Sequence, residues 1–158
     1  MKRQLIAATA TAAALTLGAA GITAAQAEGD RVLPPKSLAG VWVVTVDPAA
    51  TPAGDPPPFE STLAYSSDHV VSEITSRAVS SAGLGRWRKT GGQAFGTFWW
   101  KYRFDATGAY IGKTIVKEQI QLVGEHDYTA HSVTRIVDVT GNVVAQFESD
   151  ASGHRMGS

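Results

Sequence analysis

The chain has 158 residues, 14 of them basic and 14 acidic, and no cysteine. The missing cysteine excludes a disulfide framework, a cysteine nucleophile, a thiolate metal site and an iron–sulfur cluster. The balanced charge argues against a nucleic-acid surface, which is normally basic, and the length fits one domain behind a short leader.

Residues 1–27 have the three-part layout of a secretory signal peptide. Met1–Arg3 is short and positive, and Leu5 to about Thr23 is an unbroken run of Ala, Leu, Ile, Gly and Thr. Ala25-Gln26-Ala27 then offers small residues at the two positions a signal peptidase reads. Cleavage after Ala27 is expected, and with it a secreted, extracellular protein. The run is too weakly apolar for a span of ~20 residues, so no stable membrane insertion is expected. Removing Lys2 and Arg3 leaves a slightly acidic mature chain, 28–158, read as a single domain.

Residues 28–38 form a polar lead-in with Pro34-Pro35. Gly40–Val46 is a strand. Residues 47–58 hold five prolines and a glycine, which excludes helix and central strand, so this is a long exposed loop. Strand-like runs follow at Phe59–Tyr65, at His69–Thr75 after a Ser67-Asp68 turn, and at Leu84–Lys89 before Gly91-Gly92. Gln93–Phe104 and Ala109–Leu122 flank a turn at Ala106-Thr107-Gly108. Tyr128–Asp138 and Val143 to about Ser149 flank Thr140-Gly141-Asn142. β-Branched and aromatic residues fill these runs and Gly, Asp, Asn and Thr punctuate them. No run after Ala27 keeps a helical period for three turns. About eight strands joined by short turns must pair antiparallel. The expected fold is all-β, an eight-stranded antiparallel up-and-down barrel, with a sandwich as the alternative.

Alternation assigns the inward face. In Gln93–Phe104 the even positions Ala94, Gly96, Phe98, Trp100, Tyr102 and Phe104 outweigh the odd ones in apolar content. In Ala109–Leu122 the even positions run from Tyr110 and Gly112 through Val116 and Glu118 to Leu122. Tyr128, Ala130, Ser132 and Thr134 follow, then Val143, Ala145, Phe147 and Ser149. Earlier strands add Trp42, Val44, Phe59, Ser61, Leu63, Tyr65, Val70, Ser72, Ile74 and Trp87. An eight-stranded barrel holds one small ligand or is filled by side chains. The small residues Gly96, Gly112, Ala130, Ser132 and Ala145 favour a cavity. The expected ligand-binding set is Trp42, Tyr65, Trp87, Phe98, Trp100, Tyr102, Tyr110, Glu118, Tyr128 and Phe147.

Gly40-Val41-Trp42 on the first strand, after the turn-like Pro34–Leu38, resembles the G-x-W opening of lipocalins and other calycin barrels. The resemblance implies that Trp42 closes the base of the barrel, with a basic residue near the last strand packed on it, Arg155 or else Arg135. Gly85–Gly92, the aromatic strand after it and Asp105–Gly108 resemble a group of uncharacterised bacterial lipocalin-like proteins over nearly the whole mature chain. The shortness of the chain and the lack of a long helix after the barrel argue against a deep retinol-style pocket. Avidin-type barrels share the size and the early G-x-W, but their later biotin-lining tryptophans are not matched, so biotin is not expected.

Glu118 is the candidate for chemistry. A carboxylate on an inward face is costly unless paired or neutral, and burial raises its pKa toward the range useful for acid/base work. Tyr102, Tyr110 and Tyr128 are expected beside it. The four histidines, His69, His126, His131 and His154, form no metal motif, and neither a nucleophile elbow nor a phosphate loop is present, so no metal and no cofactor is expected. Trp99, with Val71, Ile111, Ile115 and Val133, is expected to face outward and offers a homodimer contact. The expected function is a secreted barrel binding a small apolar or aromatic molecule, with no nucleic-acid partner. The alternatives are a cofactor-independent cyclase or isomerase with Glu118 as acid/base, and a filled barrel that acts as an interaction protein.

Overall fold

The computed structural model describes residues 37–50, 54, 56–76 and 80–157. The expected leader at 1–27, most of the lead-in and parts of the proline-rich loop lie outside the described residues. Eight strands run in order: β1 (Gly40–Pro48), β2 (Phe59–Tyr65), β3 (Val70–Thr75), β4 (Gly83–Gly91), β5 (Ala94–Phe104), β6 (Tyr110–Val123), β7 (Asp127–Val137) and β8 (Val143–Arg155). Each pairs antiparallel with the next, and β8 returns to β1 to close the barrel. Closure removes the unpaired edges that an all-β chain otherwise exposes. The last strand is six residues longer than the sequence suggests: Ala151–Arg155 pairs along β1, and His154 belongs to the strand rather than to a tail.

Two hairpin turns at one end share a construction. Asp105 accepts hydrogen bonds from the Thr107 amide (2.8 Å), the Thr107 hydroxyl (2.7 Å) and the Ala109 amide (3.0 Å). Asp138 does the same for Thr140 and Asn142 at 2.9, 2.8 and 2.9 Å. Both aspartates have lowered pKa values, chiefly through these threonine hydroxyls. In each turn the next residue, Gly108 or Gly141, takes the left-handed conformation that completes a three-residue loop.

Six strands present the expected face to the interior. β3 and β5 are inverted. On β3, Val71 and Glu73 are buried while Ser72 and Ile74 face solvent. On β5, Phe95, Thr97 and Trp99 are buried, whereas Phe98 and Tyr102 are exposed and Trp100 is half-buried on the outer face. Tyr110, at the start of β6, is exposed as well.

Each inversion comes from a single extra residue. The β2–β3 turn holds three residues rather than two. The Ser66 amide bonds to the Val70 carbonyl, and His69 occupies the additional position at φ 69°. That conformation is unfavourable for a residue with a Cβ, and the His69 ring packs against Trp87 at 4.7 Å between centroids. Between β5 and β6, Phe104 pairs with Tyr110 but Arg103 pairs with Gly112, so Ile111 is the extra residue of a bulge. Gly112 sits at φ 128°, and a Cβ there would collide with the Val137 carbonyl and Asp138. A one-residue slip exchanges the two faces of everything beyond it.

One end of the barrel is filled. Trp42, fully buried, donates from Nε1 to the Leu38 carbonyl at 2.9 Å and stacks near Tyr128 at 4.8 Å. The Arg155 guanidinium lies over the Trp42 ring, 4.3 Å from its centroid, and bonds to the Ala39 and Ser37 carbonyls. This is the pairing that the G-x-W resemblance implies for Arg155. Tyr65, Trp87, Phe95, Leu38 and Leu122 complete the plug. Gly153 faces Tyr128 so closely that any Cβ would strike the ring.

Candidate functional site

The opposite half of the barrel is hollow. A cavity of about 430 Å³ opens there, within the size range of small-molecule sites. Its walls alternate between apolar groups, among them Phe59, Trp99, Val116 and Phe147, and short polar ones. The room comes from Ser61, Thr114, Ser132, Thr134 and Ser149, where inward positions carry side chains too short to meet across the barrel.

Two buried carboxylates face this space. Glu73, on β3, is 1% exposed. It accepts from the Lys101 ammonium at 3.0 and 3.2 Å and from the Ser61 hydroxyl at 3.0 Å. Lys101 reaches it from β5 and lies 5.6 Å from the Trp99 ring centroid. Glu118, on β6, is 8% exposed and has no such cation. It accepts from the Thr97 hydroxyl at 2.7 Å and from Trp99 Nε1 at 3.1 Å. Both bonds go to Oε2, which leaves Oε1 to whatever the cavity holds. Burial pushes the Glu118 pKa up, the two donors pull it back in part, and the charge of Glu73 raises it again.

Beneath this pair lie the Tyr65 and Tyr128 hydroxyls. Both are buried, and neither finds a hydrogen bond of good geometry. Burial is the main cause that drives both phenol pKa values up, and the negative charge of Glu118 adds to it. At the mouth, Arg103, Phe104 and Ile136 line the opening.

The structure therefore redistributes the expected site. Glu118 and Phe147 line the cavity. Trp42, Tyr65, Trp87 and Tyr128 point inward but belong to the plug. Phe98, Trp100, Tyr102 and Tyr110 are on the outer surface, because the bulge at Ile111 turns the aromatic face of β5 outward. Conversely Trp99 and Val71, expected on the outside, are interior, whereas Ile111, Ile115 and Val133, expected with them, are not buried. Gly96, expected to open the interior, is on the outer side, and Ala145 keeps the inward phase of β8 but sits exposed at the rim beside Ile136, while Ser132 does contribute room.

Glu73, Lys101, Thr97 and Trp99 escape a reading of hydrophobicity. A strand face bearing Glu or Lys reads as solvated. One signal was available: an inward Glu118 requires donors on the adjoining strand, and the odd face of β5 supplies them, whereas the even face offers mainly apolar rings. His131 pairs with Asp150 and His154 with Asp127, each at 2.9 Å, on the exposed exterior. Among the described residues no cluster of three or more His, Asp or Glu side chains is arranged to hold a metal.

No family model matches the chain, and no curated protein matches it. The closed eight-stranded antiparallel barrel is consistent with a calycin/lipocalin-like fold.

Glu118 gives the barrel a distinctive pH dependence. Its pKa is higher in the folded state than the ordinary carboxylate value of 4.5. The folded state therefore holds more protons above that value, and this contribution to stability is fully present below it and falls as pH rises through the raised pKa. Glu118→Gln keeps an acceptor for Thr97 and Trp99 and removes the titration. Urea unfolding from pH 4.5 to 8 is expected to show a declining contribution in the parent that is missing in the variant, with the variant at least as stable at pH 8. Parallel pH profiles for the two proteins would contradict a buried, uncompensated Glu118.

Proposed function

We propose that this is an exported, calycin-like carrier, kin to bacterial lipocalin-like barrels, that holds a small apolar or aromatic molecule in the open half of its interior. The observation that carries this reading is the 430 Å³ cavity with aromatic walls and a carboxylate oxygen free to orient a guest. The signal-peptide layout of residues 1–27 supports export. Aromatic and aliphatic surfaces would supply most of the contact area and Glu118 the direction. A second reading, a cofactor-independent cyclase or isomerase, draws on one specific feature: Glu118 is a buried carboxylate facing the cavity, and burial raises its pKa in the direction that acid/base work requires.

Native mass spectrometry of the chain from Glu28 onward, recovered from its own culture medium, tests the carrier. A retained small molecule is expected, and Ser149→Phe, which fills the cavity from β8, should lose it while the barrel still melts cooperatively. A ligand retained equally by Ser149→Phe would place binding elsewhere. Once a ligand is known, Glu118→Gln separates the readings. A carrier loses about tenfold in affinity or less, in keeping with one hydrogen bond, whereas an enzyme loses at least a hundredfold in turnover.

A further inference from the structure

The inverted face of β5 leaves a row of apolar and aromatic side chains on the outside of the barrel, and these alternate with cations. Cross-strand pairing fixes their order. Phe98 lies directly between Arg86 on β4 and Lys117 on β6. In the next row Trp100 lies between Leu84 and Ile115, and Ile115 in turn faces Arg135 on β7. Tyr102 faces Lys113, whose ammonium sits 5.0 Å from the Trp100 centroid and 5.7 Å from that of Tyr102. Phe98 is 47% and Leu84 55% exposed, and Arg86, Arg88 and Lys117 are exposed around them. Glu118 is the only acid in β4, β5 and β6, and it points inward. Asp68, in the β2–β3 turn, is the acid whose charge interacts with Arg86. The acids of the β8 exterior, Glu148 and Asp150, lie two strands beyond β6, with Val133 standing between Lys117 and Glu148.

We propose that this outer face of β4–β6 docks the protein on an anionic phospholipid surface, with Leu84 and Phe98 entering the headgroup boundary and Arg86, Arg88 and Lys117 meeting lipid phosphates. Charge complementarity selects the occupant. A two-fold contact with a second copy would lay this cationic patch against another just like it, with no outward acid on β4–β6 to meet it. Stacked nucleic-acid bases need free ring faces, but Trp100 and Tyr102 are engaged edge-to-face with each other at 4.9 Å and have Lys113 beside them. Aliphatic tips between cations, with Trp and Tyr at the same level, suit the apolar-to-polar gradient of a lipid interface.

The test is sedimentation of the chain from Glu28 onward with extruded vesicles of 70:30 phosphatidylcholine:phosphatidylglycerol, compared with phosphatidylcholine alone. Binding is expected only with the anionic lipid and should weaken as salt rises from 50 to 300 mM, as screening requires. Arg86→Glu/Lys117→Glu should lower partitioning at least twentyfold, since each cation contributes roughly fivefold. Leu84→Ser/Phe98→Ser should lower it while leaving the salt dependence in place. Asp47→Asn, on β1 across the barrel from β5, should change nothing. These positions are solvent-exposed, and unchanged near-ultraviolet circular dichroism confirms that each variant folds. Equal sedimentation with both vesicle types, or equal sedimentation by the charge-reversed variant, would overturn the proposal. So would the absence of vesicle binding, whether the face instead retains a single-stranded oligonucleotide or drives concentration-dependent self-association.

Discussion

Lys101→Met is expected to destabilise the barrel by about 3–5 kcal/mol, the cost of leaving one partner of a buried ion pair alone. Its carboxylate, Glu73, is 1% exposed and keeps only the Ser61 hydroxyl once the ammonium is gone. The Lys101 side chain is 11% exposed, so water replaces little of what is lost. Neutralising both partners in Glu73→Gln/Lys101→Met should recover most of the loss, because the penalty arises from the unpaired charge and not from the absence of the pair. Urea unfolding of the parent, both single variants and the double variant completes the cycle. A single-variant loss below about 1 kcal/mol would be that of a surface pair and would contradict the buried geometry.

Trp42→Ala should cost a similar amount, about 3–5 kcal/mol, at the other end of the molecule. The substitution empties the centre of the plug against Tyr128, removes the donor to the Leu38 carbonyl and takes away the ring beneath Arg155. Trp42→Phe separates these parts. It retains much of the packing and should cost roughly half as much, the remainder reflecting the lost Nε1–H bond and ring area. The 430 Å³ cavity lies in the other half of the barrel, so ligand retention, where measured, should survive in the folded fraction of Trp42→Phe. Thermal unfolding followed by tryptophan fluorescence reads all three proteins.

Much of this fold is legible in the sequence because its signals are local. Gly, Asp and Thr punctuate the strands, and β2 begins and ends where its pattern does, at Phe59 and Tyr65. The faces of β1, β2, β4, β6, β7 and β8 follow from alternation, as does the inward direction of Glu118. Arg155 over Trp42 is implied by the G-x-W resemblance and lies in register with it on β8. The faces of β3 and β5 are not legible, and in both the information lies outside the strand. His69 in the left-handed conformation adds one residue to a turn that Ser67-Asp68 alone would close. Ile111 adds one to a ladder that otherwise continues unbroken. Hydrophobic weight then misleads on β5, since its richer face covers no core. The candidate site was half visible for the same reason. Glu118 lies on a correctly read strand, while Glu73, Thr97, Trp99 and Lys101 lie on the two inverted ones.

The plug at Trp42 also governs traffic. Because one end of the tube is packed with aromatic rings and capped by Arg155, the cavity is a cul-de-sac whose mouth lies by Arg103, Phe104 and Ile136. If the cavity holds a guest as proposed, that guest would have to back out by the route it came in, and a second molecule could not push it through from behind. Exchange in such a vessel is sequential, so the departure rate of a bound molecule should be indifferent to how much competitor waits outside.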